Sequence, residues 1–166
     1  MFPLKSISVE SIPGALAKAE RYRLLNEPCQ AESICRDILI LQPDNQQALI
    51  SLVLALTDQI PDDAGAFSSS LQIAKRLSLD YDRAYYSGIA WERRALATYR
   101  SGRHGMKHSV HEWLVEALNC YQLAEQLRPA GNDDAVLRWN TCVRFLEQHS
   151  ELSPRDEEVP ASVLSE

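Results

Sequence analysis

From Ala15 to Pro43 the chain reads ALAKAERYRLLNEPCQAESICRDILILQP, and this stretch limits the fold more than any other. Leu16, Ala19, Tyr22 and the pair Leu24/Leu25 recur at the three- and four-residue spacing of one helix face. Ala31, Ile34, Cys35, Ile38 and Leu41 do the same after Pro28. Glu27-Pro28 separates the two runs, because a residue before proline avoids the α region, and Pro43 ends the second. Two short amphipathic helices folded back on each other are expected. Such a pair cannot bury its apolar faces alone, so neighbouring units must stack on it.

The remaining sequence supplies them. Ser11 and Pro13 start the first helix after a loose lead-in over residues 1–10. Asp44 and Gln47 read as a capping box for a third helix from Asn45 to about Ile60, apolar on most faces and therefore expected at the centre. After Pro61 a fourth helix runs to about Ser78, with Phe67, Leu71, Ala74 and Leu77 inward. A fifth, from Asp80 to Tyr99, carries Ala84, Gly88, Trp91 and Ala95 on one side. Glycine within a helix costs up to about 1 kcal/mol relative to alanine, so Gly88 predicts a crossing too close for a Cβ. Ser109 and Glu112 read as a second capping box, starting a sixth helix that Pro129 closes. A seventh, with Ala135, Trp139, Cys142 and Leu146 inward, follows Gly131-Asn132. No alternating apolar run is present and only six glycines occur, so the class is all-α.

The formal net charge is -6, and most of it sits after Ser150, where five carboxylates face only Arg155. That stretch, 150–166, is expected to be a disordered acidic tail. The body offers no generally basic surface, so neither specific nucleic-acid binding nor a membrane span is expected. No apolar run long enough for a signal peptide opens the sequence, and Cys29, Cys35, Cys120 and Cys142 form no CxxC pair. A soluble cytoplasmic protein is the expectation.

These residues resemble the tetratricopeptide repeat family, whose helix-turn-helix unit spans about 34 residues. Ala15, Ala19, Tyr22, Ala31, Cys35, Ile38 and Pro43 match its first unit, with Ala15 where the family has a large residue. Leu49, Val53 and Leu56 match the first half of a second unit that lacks the closing proline. Ala84, Gly88, Trp91, Ala117, Tyr121, Ala124 and Pro129 match an enlarged third. Ala135, Trp139 and Cys142 fit a lone closing helix, as in bacterial repeat proteins of no assigned activity. The resemblance implies an α-α superhelix of about seven helices, with repeats near 12–45, 46–80 and 81–131 and a capping helix over 132–149.

It also implies a non-catalytic scaffold that holds a peptide or protein segment in a concave groove. The groove positions it assigns include Glu20, Arg23, Gln47, Tyr85, Tyr86, Ile89, Arg93, Asn140 and Arg144, with Leu16, Leu24, Ile50, Leu54 and Val136 among them. The alternative is a module that self-associates, as a homodimer, through an exposed apolar repeat face. One class of these repeats clamps a terminal carboxylate with Lys and Asn; here those positions hold Leu16, Glu20, Ser51, Asp82 and Tyr86, so that clamp is not expected.

No nucleophile-elbow, phosphate-loop, dinucleotide or zinc-finger pattern appears, so neither enzyme chemistry nor a cofactor is expected. His104, His108 and His111 have the spacing of a metal-binding helix face, but a helix starting at Ser109 leaves the first two in a loop, and no metal site is expected. Arg93, Arg94, Arg100, Arg103 and Lys107 form a local basic patch, most simply a solvated face.

Overall fold

The structure is a computed structural model and describes residues 2–154. Among these residues it contains seven α-helices and no strand. They are α1 (Ile12–Leu24), α2 (Pro28–Leu41), α3 (Gln46–Gln59), α4 (Ala66–Ala74), α5 (Asp80–Arg100), α6 (Lys107–Leu127) and α7 (Asp134–Gln148). Each helix packs on the next in the chain, and α3 also touches α1 and α5. None is long and apolar enough to cross a membrane.

Local chemistry explains the ends. Pro28 stands in the first turn of α2, as its missing N–H allows. What stops α1 is Asn26, in the left-handed region at φ 60°. The Glu27 N–H donates to the Tyr22 carbonyl and the Asn26 N–H to the Arg23 carbonyl, closing a Schellman motif. Two expected caps are corrected. Asn45, not Asp44, caps α3: its Oδ1 accepts from the Ala48 N–H at 2.9 Å. α6 begins at Lys107 without a side-chain cap, so Ser109 and Glu112 lie inside the helix rather than at its start.

Ala48, Leu49, Leu52, Val53, Ala55 and Leu56 of α3 are all buried, which makes α3 the centre of the first half. In the second half Ile89, Ala95, Val110, Leu114, Ala117, Tyr121 and Cys142 form one core across α5, α6 and α7. Between the halves, the Arg94 guanidinium lies 4.3 Å from the Phe67 ring centre and 3.9 Å from that of Trp113, joining α4, α5 and α6 by cation–π contact.

Both ends are more ordered in contact than expected. Ile7 in the lead-in is half-buried and packs beside Ile12 and Ile38. Leu152, placed in the disordered tail, is only 6% exposed and joins the α5–α7 core. An apolar residue four positions past a helix can fold back on the core that the helix has left open. The remainder of the expected tail, 155–166, lies outside the described residues.

At Gly88 a side chain of α6 comes too close to α5 for a Cβ. A Cβ there would sit 2.5 Å from Cε1 of the fully buried Tyr121 ring. The Gly88→Ala variant is therefore expected to lose about 1–3 kcal/mol from overpacking, more than the roughly 1 kcal/mol of helix propensity it gains. Urea denaturation checks this; equal or greater stability would contradict the close approach.

Candidate functional site

Charged side chains of α1, α3, α5 and α7 meet in two nodes. Arg23 of α1 and Arg93 of α5 both bond Asp58 of α3, Arg23 through Nε at 2.9 Å. Arg93 also donates to Thr57 Oγ1 at 2.7 Å and to the Leu54 carbonyl at 3.3 Å. A lone carboxylate thus ties three helices. Burial pulls the Arg93 pKa down, and the Asp58 charge acts in the opposite sense.

A second node lies deeper. Glu92 of α5 is only 3% exposed. Tyr121 of α6 donates its hydroxyl to Glu92 Oε2 at 2.5 Å, and Arg138 of α7 donates to Oε1 at 3.1 Å. Desolvation, then the Glu92 charge, drives the Tyr121 pKa far up. Burial lowers the Arg138 pKa, but Glu92, Tyr121 and Tyr85 together outweigh it and the net shift is upward. Among the described residues no buried side-chain nitrogen or oxygen lacks a partner.

The expected groove residues divide accordingly. Arg23 and Arg93 are half-buried and engaged with Asp58. Ile89 is 2% exposed and belongs to the core cluster shared by α5, α6 and α7, a correction: its side chain has no solvent face. Glu20 and Gln47 are exposed and line one cavity of about 520 Å³ between the start of α1 and the start of α3. Tyr85 is stacked on Tyr81 at 5.7 Å and meets Tyr86 edge-on at 5.2 Å. Burial, then Asp82, raises the Tyr86 pKa to about 12. On α7, Asn140 is half-buried and Arg144 exposed.

Asp58, Glu92 and Arg138 were not among the expected site residues. Glu92 carried a signal, since it follows Gly88 by one turn on the same core-facing side. Asp58 follows Leu54 by the same interval.

At the far end of α5 the Tyr99 hydroxyl donates to Glu151 Oε1 at 2.9 Å and lies 2.9 Å from His149 Nδ1. His104 is in the turn before α6, whereas His108 and His111 both belong to α6, which starts earlier than expected. His108 Nδ1 is bonded to the Ser153 carbonyl at 2.9 Å. The described residues hold no group of three or more His, Cys, Asp or Glu arranged for a metal ion.

Comparison of the chain with protein-family models, curated proteins and solved structures finds no match.

The four thiols are free, and three are withdrawn from reaction. Burial raises Cys35 and Cys120 to about 11 and Cys142 to about 12, while Cys29 is exposed. A chromogenic disulfide reagent at pH 8 is expected to label one thiol quickly and three only on unfolding. Because the folded values lie above the unfolded ones, this contribution to stability is full below about pH 8.5 and declines as pH rises through the folded values. Thermal melts across pH 7–11 check the sign; rising stability over that range would contradict it.

Proposed function

We propose that the chain is a tetratricopeptide-like repeat protein, a non-catalytic scaffold that binds a peptide or protein segment along the groove made by α1, α3, α5 and α7. The observation that carries this reading is the tie between those helices. Arg23–Asp58–Arg93 joins α1, α3 and α5, and Glu92–Arg138 joins α5 to α7, so polar bonds link four helices that do not follow one another in the chain. Successive helix pairs stacked through their first members fit an α-α superhelix with α7 as its cap. The repeat offsets in Ala15–Pro43 support the same architecture.

The burial pattern narrows the reading residues. Arg23 and Arg93 hold the groove floor together and have little left for a ligand, and Ile89 has no surface to offer. Glu20, Gln47, Tyr86, Asn140 and Arg144 keep exposed or half-exposed side chains. Aromatic rings beside polar groups suit an interface in which a few anchors carry most of the energy. Glu92, Tyr121 and Arg138 are saturated by one another, which favours structural over catalytic work. Free thiols favour a reducing compartment, so we place the scaffold in the cytoplasm.

Self-association is the second reading. Leu123 and Leu127, one turn apart on α6, are 50% and 42% exposed and offer an apolar face to a second copy. Light scattering that finds only monomer at high concentration removes it.

The groove reading is tested by affinity capture with the parent and a Tyr86→Ala/Asn140→Ala/Arg144→Ala variant. The variant is expected to keep its helical spectrum and lose the captured partner. Retention of every partner would overturn the proposal.

A further inference from the structure

The end of α5, the turn Ser101–Met106 and the start of α6 surround a cavity of about 590 Å³. Arg100, Arg103, His104 and Lys107 line it, together with Tyr99 and Glu151. The helix dipole favours a cation at a helix C-terminus, and this explains Arg100 in the last turn of α5. It does not explain Arg103, which lies beyond the helix. It disfavours Lys107, which opens α6 where the dipole has the same sign and where no acidic residue occupies the first turn. Like charges therefore converge on one concavity. Among the described residues Arg100, Arg103 and Lys107 form no ion pair. The wall already holds one carboxylate, that of Glu151, fixed by the Tyr99 hydroxyl. Its pKa is lowered by its own backbone N–H first and by Tyr99 next, with His149 and Lys107 adding.

We propose that this cavity binds an acidic peptide segment of a partner protein, whose Asp or Glu carboxylates are taken by Arg100, Arg103 and Lys107. Arginine forks bind carboxylates by paired, charge-assisted hydrogen bonds, and three cations around one turn give such a segment a positive target on a chain of net charge -6. A nucleic acid fits less well. It needs an extended basic track with several stacking surfaces, and among the described residues this wall carries two rings, His104 and Tyr99, the second bonded to Glu151. The site is independent of the groove, since Tyr86, Asn140 and Arg144 do not line it.

The test is fluorescence anisotropy of a short labelled Glu/Asp peptide titrated into the full chain. Saturable binding is expected, weakened about tenfold or more by Arg100→Glu/Arg103→Glu/Lys107→Glu. The milder Arg103→Gln/Lys107→Gln variant is expected to weaken it in the same direction. A Lys5→Glu/Lys18→Glu/Lys75→Glu variant, equal in charge change, is expected to leave binding largely intact. Equal loss in both triple variants, or no loss in the first, would overturn the proposal, as would tighter binding of an oligouridylate. Binding seen only after Asp156→Asn/Glu157→Gln/Glu158→Gln would overturn the assignment to a partner, because the chain's own acidic residues would then fill the site. Failure here leaves the groove reading standing, and loss of capture by the groove variant leaves this one standing.

Discussion

The Tyr121 ring lies on the bare backbone of Gly88 while its hydroxyl reaches the buried carboxylate of Glu92. Much of the second half of the molecule depends on that contact. Removing a carboxylate from water costs several kcal/mol, and a partner on one side alone would not offset it. Tyr121 and Arg138 approach different oxygens of Glu92, so the charge is met from α6 and from α7 at once. Gly88 lets α6 come close enough for the phenol to reach. Replacing any of these groups disturbs the others, which makes the junction a single unit rather than a set of contacts.

Asp58 repeats the device nearer the surface, with two guanidiniums on one carboxylate. The two nodes have the same effect on the helices they join. They link α1, α3 and α5 to one another and α5 to α7 through polar bonds, which are directional, whereas the apolar core beneath is tolerant of small shifts. A face held this way is preorganised, and preorganisation lowers the ordering cost of binding. It also separates two roles among the arginines. Arg23, Arg93 and Arg138 hold the face, while Arg100, Arg103 and Arg144 remain at its edge and on the α5–α6 turn.

Helix number and type were legible because apolar spacing and proline are local signals. Pro28 and Gly88 each marked a physical event that the structure contains. The caps were less legible: Asp44 and Asn45 are both good capping residues, and only the Gln42–Asn45 turn geometry selects the second. Ser109 and Glu112 have the right chemistry, but α6 propagates back to Lys107 because the turn, not a cap, ends it. The charged nodes were out of reach for another reason. Arg93 and Asp58 are separated by 35 residues, and Arg138 and Glu92 by 46, so no local pattern pairs them. An exposed-looking arginine on an amphipathic helix reads as a binding residue until its distant partner is known. Ile89 was misplaced similarly, since it joins the core that α5 shares with α6 and α7.

The most direct measurement is a double-mutant cycle between Tyr121→Phe and Arg138→Met, read by urea denaturation. Each single variant leaves Glu92 with one partner, and the double variant leaves a buried carboxylate with neither. Since one partner alone does not offset the buried charge, each single variant already breaks the junction, and the double variant is expected to lose less than the sum of the singles, by about 1 kcal/mol or more. Additivity within roughly 0.5 kcal/mol would show that the two groups do not share a buried charge, and would contradict the view that this junction holds α5, α6 and α7 together.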